Sequence, residues 1–497
     1  MLRARAIPVA RVAVSGTRRV GLASYSTNLG VPSSSTTTTT TTTRGMSTTT
    51  SGSESLYEFG QRHVTNGLGR ITQGIMTKGE GSYVFYDDGR KMLDFTCGIG
   101  VTNLGHVNHR VSTAAAEQCM KIVHAQCSIA MHEPYLRLIE RLLPIMPDPS
   151  LDSFFFWNSG SEAVEAAIKM SRVITGKQNI ICMQGAYHGR TFGAMAVTKS
   201  KTIYSKGVAP LMPGVFSIPY PFWHQLRLPP TTPTATLVSL CLYQLDLVLS
   251  QQSAPSDTAA ILVEPVLGEG GYVPAPAEFL QGLRTLCDKH GILLIIDEVQ
   301  SGFGRTGRYF SITESGVRPD ILTIAKGLGN GFPISGVVSR KELTDKLTPG
   351  TLGGTYAGNA VSCAAAVAVA DVMREEKILD NVQARSKELF ASLKSLQSDS
   401  TVGRFILDVR GRGLMVGVEF AAPPGPEREH DVAVQEGVPK DMATRIAKKC
   451  IEKGMLILTT SVYEVIRFIP PLNVSAEDMK KGTKIFEEAV REVVKEG

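Results

Sequence analysis

The chain has 497 residues, of which 43% are hydrophobic and 20% are charged, a composition ordinary for a soluble globular protein with two or three lobes. Its formal net charge of +6 matches the six arginines of residues 1–53, a segment without lysine and with no acidic residue. The remaining 46 basic and 46 acidic residues balance, so the charge gives no support for a nucleic-acid partner.

Residues 1–53 have the composition of a targeting segment. They are rich in arginine and serine and free of acids, which is typical of a mitochondrial transit peptide, and residues 1–25 can form a basic amphipathic helix. The Ser/Thr tract at 33–43 is of low complexity and is expected to be disordered. We therefore expect a protein of the mitochondrial matrix. The alternative is an unstructured extension, with translation starting at Met46.

Neither a membrane span nor a metal site is predicted. No apolar stretch reaches the roughly 18 residues that a membrane helix requires. The eight cysteines show neither CxxC pairs nor a short-spaced framework, so they indicate reduced, buried thiols rather than metal ligands.

The predicted elements begin with a hairpin over 81–97, whose turn is Asp88-Gly89. Two amphipathic helices follow, at 111–123 and 134–143. Apolar runs then alternate with helical segments. The predicted strands are 154–157, 180–183, 259–263, 292–296 and 321–325; one predicted helix follows Glu162, over 163–176, and another spans 278–290. This alternation predicts an α/β domain with a mainly parallel sheet over 108–373, in which the Pro-rich stretch 210–236 is irregular.

The pattern changes after residue 360. Long helices are predicted over 360–373 and 381–396, followed by short strands and a terminal helix from Ala476. We interpret 374–497 as a separate, smaller α+β domain.

The stretch Gly291–Gly331 contains two short strands that each end at a charged residue, Asp297 in one case and Lys326 in the other. In open α/β sheets, ligands bind beyond the carboxyl ends of the strands. The acid and the amine should therefore face one pocket from neighbouring strands. The chemistry of pyridoxal phosphate (PLP) needs this pair: a lysine that forms the Schiff base and a carboxylate that keeps the ring nitrogen protonated.

These residues allow two other interpretations. An Asp-Glu pair after a strand also resembles an ATPase carboxylate site, and a lysine at a strand end is usually solvated surface. No GxxxxGK[ST] motif supports an ATPase. Gly-rich turns at 302–304 and 327–329 follow both residues and favour the shared pocket.

A further anion site is predicted at Ser159-Gly160-Ser161, between a strand and a helix. Free N–H groups and the helix dipole attract an anion there, Gly160 lets the backbone approach, and the Ser161 hydroxyl can add a hydrogen bond. Ser161 would equally serve as an ordinary N-cap.

With these residues the chain resembles the class III, or ω-, aminotransferases of PLP fold type I, the aspartate aminotransferase-like fold. The resemblance runs from about Leu56 to the C-terminus, and the GGTYAGN segment at 353–359 favours the 4-aminobutyrate (GABA) aminotransferases. It implies PLP as the cofactor, an obligate homodimer with shared active sites, and residues 54–107 as the N-terminal segment of the small domain.

The resemblance also implies the residues that hold the cofactor. Tyr187 would stack on the ring face, Asp297 would pair with the ring nitrogen, and Gln300 would reach the ring hydroxyl. Lys326 would be the second catalytic residue beside Asp297, forming the Schiff base and moving the proton. The phosphate contacts would be Gly160, Ser161 and, from the neighbouring subunit, Thr355. His188, next to Tyr187, is interpreted as structural.

The substrate-binding residues implied by the resemblance are Ile99, Arg190, Glu269 and Arg467. Arg190 would grip a substrate carboxylate. Glu269 would mask Arg467 when an ω-amino acid binds, and would swing away when 2-oxoglutarate or glutamate needs its second carboxylate held. Without the resemblance, Arg190 would be interpreted as a surface arginine, and Glu269 and Arg467 would be interpreted as a static ion pair. Leu267 stands where many relatives carry glutamine.

The implied reaction moves the amino group of 4-aminobutyrate to 2-oxoglutarate, giving succinate semialdehyde and glutamate. Acetylornithine, ornithine or β-alanine is the alternative donor, because the RFIPPL segment around Arg467 is also similar to the ornithine group. A PLP decarboxylase or aminomutase of the same fold is disfavoured by Arg190, Glu269 and Arg467. A non-catalytic binding protein is disfavoured because Lys326 and Asp297 are both present.

Overall fold

The computed structural model describes residues 55–426, 429 and 431–497. Its contacts divide the chain into two compact units, Met1–Thr65 and Asn66–Gly497. The described part of the first unit contains helix α1 (Leu56–His63). A capping box starts this helix: the Glu58 N–H donates to Ser55 Oγ at 3.2 Å, and the Ser55 N–H donates to the Glu58 carboxylate at 2.8 Å. The predicted transit peptide and Ser/Thr tract lie outside the described residues.

The second unit carries the other regular elements. Its strands are β1 (Met76–Glu80), β2 (Tyr83–Tyr86), β3 (Lys91–Asp94), β4 (Ser153–Trp157), β5 (Asn179–Met183), β6 (Val215–Ile218), β7 (Thr258–Val263), β8 (Val266–Leu267), β9 (Val273–Pro274), β10 (Leu293–Asp297), β11 (Ile321–Ile324), β12 (Ser335–Ser339), β13 (Ile406–Arg412), β14 (Met415–Phe420), β15 (Met455–Leu456), β16 (Leu458–Thr460) and β17 (Val465–Phe468). Its helices are α2 (Cys97–Gly100), α3 (His109–Cys119), α4 (Glu133–Leu142), α5 (Gly160–Thr175), α6 (Phe192–Val197), α7 (Thr234–Gln251), α8 (Ala277–His290), α9 (Lys341–Thr344), α10 (Ala360–Glu375), α11 (Ile378–Gln397), α12 (Met442–Glu452) and α13 (Ala476–Glu496).

A seven-stranded sheet lies at the centre of the second unit, in the order β4-β12-β11-β10-β7-β5-β6. β12 runs antiparallel to both of its neighbours, and the other neighbouring strands run parallel. The predicted mainly parallel sheet is therefore confirmed. The central strands β7, β10 and β11 are buried along their whole length, which explains why they are continuous apolar runs without alternation.

Both faces of this sheet are covered. Successive side chains of a strand point to opposite faces, so Ile295 packs in one apolar cluster and Leu294 in another. The first cluster includes α5, and the second includes α7 and α8. Each fully buried aliphatic side chain stabilises the fold by about 1.5–3 kcal/mol. The ends of the central strands are therefore held in place by a sheet that is packed on both faces.

The Pro-rich stretch 210–236 differs from its prediction. It contains β6, which pairs in parallel with β5 at the edge of the sheet, and α7 begins within it at Thr234. β6 has four residues, three of them only half-buried, so its own apolar signal is weak. The hydrogen bonds to β5 stabilise this strand, which the local sequence alone favours only weakly.

The described part of the unit has three smaller sheets. One is antiparallel, in the order β13-β14-β17-β16, another has the order β1-β2-β3-β15, and the third is the antiparallel pair β8-β9. The hairpin predicted over 81–97 is confirmed by the antiparallel pair β2–β3. β15 pairs in parallel with β3, which brings Met455 opposite Leu93. The division of the chain at residues 107 and 373 stays a prediction.

Among the described residues no helix combines the length and apolar character that crossing a membrane would demand. Within the same part of the chain, no three His, Cys, Asp or Glu side chains are grouped to hold a metal ion. All eight cysteines are free thiols, and six of them are buried. Cys119 is exposed and Cys127 is half-buried, so the expectation of buried thiols is wrong for these two.

Candidate active site

Asp297 and Lys326 follow adjacent parallel strands. β10 ends at Asp297, which stands opposite Thr323 of β11, and Lys326 comes two residues after the end of β11. Both residues line a cavity of about 300 Å³. The acid and the amine therefore face one pocket from neighbouring strands, as the sequence predicts.

Asp297 is held by three hydrogen-bond partners. Its Oδ1 accepts from the Val299 N–H at 2.9 Å and from the Thr323 hydroxyl at 3.1 Å, and its Oδ2 lies 2.7 Å from His188 Nδ1. His188 therefore contacts a predicted catalytic carboxylate. The interpretation of His188 as a structural residue, made from the sequence, does not include this contact. The signal was its position just beyond β5, a strand that β7 alone separates from β10.

Lys326 occupies a strained turn in the cavity wall. Its φ of +45° lies in the left-handed region, where a residue with a side chain costs about 1–3 kcal/mol. Desolvation lowers the pKa of Lys326 to about 8, while the charge of Glu269 raises it and that of Arg467 lowers it. A lysine with this pKa is partly neutral near neutral pH, as a nucleophile or a base requires.

Glu264 is a second buried carboxylate in the cavity wall, and no role is predicted for it from the sequence. It follows β7, so it lies between the strands that lead to His188 and Asp297. Its Oε1 accepts from the Tyr187 N–H and its Oε2 from the Gly268 N–H, each at 2.9 Å. Burial raises the pKa of Glu264 to about 7, against the opposing charge of His188.

The anion site predicted from the sequence lies at the start of α5. Its N-cap is Ser159, whose Oγ accepts from the Glu162 N–H at 3.4 Å, whereas Ser161 Oγ accepts from the Arg190 N–H at 3.2 Å. The alternative that Ser161 caps the helix is therefore wrong.

The first N–H groups of α5 are open to a ligand. The first intrahelical bond runs from the Ala163 N–H to Ser159 O, at 3.1 Å, so the N–H groups of Gly160 and Ser161 precede it. These donors and the helix dipole suit a phosphate. A Cβ on Gly160 would lie 2.9 Å from the Val299 side chain, so glycine is needed for this close packing.

The cavity residues fit the parts of PLP. The start of α5 suits its phosphate, the Tyr187 ring lines the cavity, and the Asp297 carboxylate suits a protonated ring nitrogen. The Tyr272 hydroxyl donates to Gln300 Oε1 at 2.7 Å, which leaves the Gln300 amide N–H groups for a ring oxygen. Lys326 supplies the amine.

Arg190 is exposed beside this cavity. Its Nε donates to the Tyr187 hydroxyl at 3.1 Å, and its guanidinium carbon lies 4.4 Å from the centre of the Tyr204 ring. Within the described residues, no carboxylate forms an ion pair with it. A guanidinium oriented by aromatic rings and lacking an acidic partner is placed to bind an anionic ligand.

Glu269 and Arg467 form an ion pair, with Arg467 Nη1 donating to Glu269 Oε1. They are 8% and 4% exposed. Burial opposes ionisation, but the Arg467 charge holds the pKa of Glu269 below its ordinary value. Arg467 Nε is buried with no partner in the described part of the chain, so this guanidinium has a donor to spare.

Hydrogen bonds from C-terminal strands hold the backbone of the loop that carries Glu269. The Thr460 hydroxyl donates to Glu269 O at 3.2 Å, and the Ser461 hydroxyl donates to the next carbonyl at 3.1 Å. Arg410 donates to the carbonyl after that through Nε at 2.9 Å and through Nη2 at 2.7 Å. The Glu269 side chain, and not its backbone, is therefore the part that can change partner.

The other residues singled out from the sequence lie elsewhere. Ile99 is exposed in the short α2 with a φ of +67°, and Thr355 is also exposed; neither lines the 300 Å³ cavity. Leu267 is buried in β8 behind Gly270 and does not line this cavity. Glu269 and Arg467 do not line it either, but Glu269 follows Gly268, where a Cβ would lie 3.1 Å from Nε2 of the cavity residue Gln300, and Arg467 is paired with Glu269.

Comparisons with known proteins identify the family of the chain. Residues 68–490 match the sequence model of the family Aminotransferase class-III. The chain is 38% identical over 442 residues to the 5-aminovalerate aminotransferase DavT of Pseudomonas aeruginosa, covering 89% of this chain and 99% of that protein. It is 35% identical over 432 residues to the 4-aminobutyrate aminotransferase GabT of Escherichia coli, covering 86% and 96%.

A solved structure is similar in fold. An amine transaminase from an uncultivated Pseudomonas species, in its PLP-bound form, is 28% identical with a TM-score of 0.75, covering 85% of this chain and 95% of that one. The expected fold type I, the PLP cofactor and the transaminase activity are thus confirmed at the level of the family. The chain belongs to the class III aminotransferases, which are PLP-dependent transaminases.

Proposed function

We propose that the chain transfers the amino group of a four- or five-carbon ω-amino acid, 4-aminobutyrate or 5-aminovalerate, to 2-oxoglutarate. The observation that carries this proposal is the buried Glu269–Arg467 pair beside Lys326. A buried arginine with one acidic partner suits a site that accepts a monocarboxylate donor and a dicarboxylate acceptor in turn. The names of the two relatives support the same donor class.

The proposed chemistry assigns each cavity residue a task. PLP, when bound, supplies the electron sink that stabilises a carbanion at the substrate carbon. Lys326, with its lowered pKa, takes and returns the proton at that carbon. Asp297, oriented by His188 and Thr323, would keep a proton on the ring nitrogen of the bound cofactor. Tyr187, which lines the cavity, would pack against that ring and exclude water from it.

The two arginines divide the substrate carboxylates. Arg190, which has no acidic partner in the described chain, holds the carboxylate that donor and acceptor share. Arg467 holds the second carboxylate of glutamate or 2-oxoglutarate after Glu269 has left it. While an ω-amino acid is bound, Glu269 neutralises Arg467 next to the apolar part of the substrate.

A screen of amino donors tests this proposal. The PLP-loaded enzyme is given 2-oxoglutarate with 4-aminobutyrate, 5-aminovalerate, β-alanine, ornithine or N-acetylornithine, and the formation of glutamate is followed. We expect 4-aminobutyrate or 5-aminovalerate to have the highest kcat/KM. A clear preference for N-acetylornithine or ornithine would overturn the assignment in favour of the alternative donor class.

We also propose a homodimer in which Thr355 serves the phosphate site of the neighbouring subunit. Thr355 is exposed and outside the cavity of its own chain, and large apolar side chains of the same chain are exposed as well: Met120, Ile129, Met131 and Tyr356. Mixing Lys326→Ala chains with Thr355→Arg chains should restore activity, because a hybrid dimer contains one complete site. Two inactive variants that stay inactive after mixing would contradict shared sites.

The mitochondrial matrix is the proposed location, supported by the acid-free, arginine-rich composition of residues 1–53. Residues 1–53 fused to a fluorescent reporter should direct it to mitochondria. Fluorescence spread through the cytosol would favour the start at Met46 instead.

A further inference from the structure

A larger cleft of about 1070 Å³ lies beside the loop that carries Glu269. One part of its wall is the segment 199–203, which follows α6, and another part contains Gly270 and Ser461. Gly270 directly follows Glu269, and the Ser461 hydroxyl donates to its carbonyl at 3.1 Å. The cleft therefore reaches the backbone next to Glu269, whose carboxylate is paired with Arg467.

Lys201 is a half-buried member of this wall. Within the described residues its ammonium forms no hydrogen bond and no ion pair. Burial lowers the pKa of Lys201, the charge of Glu269 raises it and that of Arg467 lowers it, so the ammonium lies in the field of both members of the pair. An unpaired, half-buried ammonium costs free energy unless another state of the protein uses it.

Glu269 needs a cation in both states of the exchange. When Arg467 binds a substrate carboxylate, Glu269 loses its partner, and an unpaired buried carboxylate is strongly destabilising. Its backbone cannot carry it to solvent, because Thr460 and the residues after it hold the loop. Besides Arg467, the charges of three cations are coupled to the Glu269 carboxylate: Lys326, Lys201 and Arg190. Lys326 is occupied by the chemistry and Arg190 is assigned to the shared substrate carboxylate, which leaves Lys201, in the same cleft wall as the residue after Glu269.

We propose that Lys201 is a positioning residue that receives the Glu269 carboxylate when a dicarboxylic substrate occupies Arg467. This role rests on the proposed function, because it presupposes the exchange at Arg467. Lys201 would thus affect the reaction rate with glutamate and 2-oxoglutarate without contacting either substrate. It would have no effect on the rate with an ω-amino acid.

Single-turnover kinetics of the PLP-loaded enzyme test this role, with loss of the cofactor absorbance as the readout. Lys201→Gln should slow the reaction with glutamate on the order of tenfold, and should change the reaction with 4-aminobutyrate or 5-aminovalerate by less than about twofold. Lys201→Arg should restore the rate with glutamate. Lys206→Gln, a matched change at an exposed lysine five residues further along the chain, should alter neither reaction.

A double variant separates this role from a structural one. In the Glu269→Gln background, Lys201→Gln should have no further effect on the reaction with glutamate, because a neutral side chain at 269 needs no cation. Additive losses, or equal losses with both kinds of donor, would overturn the role of Lys201. If Glu269→Gln and Arg467→Ala separate the donors while Lys201→Gln does not, the role proposed for Lys201 is wrong and the proposed function stands. If none of these variants separates them, the proposed function itself fails.

Discussion

Asp297 and Glu269 are both buried carboxylates whose charges act on Lys326, but the protein holds them in different ways. Asp297 ends a central strand, and it accepts hydrogen bonds from an N–H group, a hydroxyl and an imidazole. Glu269 lies on a glycine-rich loop, and its carboxylate is bonded to Arg467. Hydrogen bonds also hold the backbone of the loop that carries Glu269. The two residues therefore differ only in how their side chains are held.

This difference follows the chemistry that each carboxylate serves. The cofactor ring presents the same nitrogen throughout the reaction, so a carboxylate with three partners loses nothing by being immobile. The proposed substrates would present one carboxylate in one half of the reaction and two in the other. A carboxylate with one partner can be exchanged at the cost of a single ion pair, provided that another cation is near.

The largest expected effect lies at the lysine between these two carboxylates. Lys326→Ala should still bind PLP but lose transamination with every donor by several orders of magnitude, because the covalent contact and the proton transfer both disappear. Turnover with 2-oxoglutarate and each donor is the measurement. A variant with near-normal turnover would refute the assignment of Lys326, and Lys206→Ala serves as the matched control.

The fixed carboxylate should affect all substrates alike. Asp297→Asn keeps the shape but removes the charge that holds a proton on the ring nitrogen, so we expect kcat to fall by about a hundredfold or more with both ω-amino acids and glutamate. The ratio of the two single-turnover rates is the decisive quantity. A large change in this ratio would mean that Asp297 also senses the substrate carboxylates.

The exchangeable carboxylate should separate the substrates. Glu269→Gln leaves the Arg467 charge unmasked, so the reaction with 4-aminobutyrate or 5-aminovalerate should slow while that with glutamate stays nearly intact. Arg467→Ala should do the opposite, since a lost bidentate carboxylate contact costs ~2–4 kcal/mol, more than tenfold in rate. Arg190→Ala should impair both. Equal losses with both donors in Glu269→Gln and in Arg467→Ala would indicate a static ion pair.

The smallest effect concerns pH. Lys326 reacts as the neutral amine, so the rate of covalent PLP capture by the cofactor-free chain should rise with pH and level off above about 8, instead of above its ordinary value near 10.5. Because the Glu269 charge raises the pKa of Lys326, Glu269→Gln should move this midpoint to lower pH. Borohydride trapping at a series of pH values measures it. An unmoved midpoint would show that Glu269 does not act on the amine.

The parts of this site that could be predicted from the sequence are those at the ends of continuous apolar runs. β10 and β11 are such runs, and their ends gave Asp297 and Lys326. His188 and Glu264 also follow strands, but strand order decides that they lie next to Asp297, and order is a property of the whole sheet. Lys201 had no signal, because its position depends on how the segment after α6 lies against a distant loop.

The fixed backbone around Glu269 has a consequence for timing. Because hydroxyl and guanidinium groups hold three successive carbonyls of this loop, the proposed change of partner is a rotation about side-chain bonds. Side-chain rotations are intrinsically much faster than loop or lid movements, which take microseconds to milliseconds, and typical turnover takes on the order of a tenth of a second. Alternation between the two kinds of substrate would then add no delay, and the ratio of the two half-reaction rates should be insensitive to solvent viscosity.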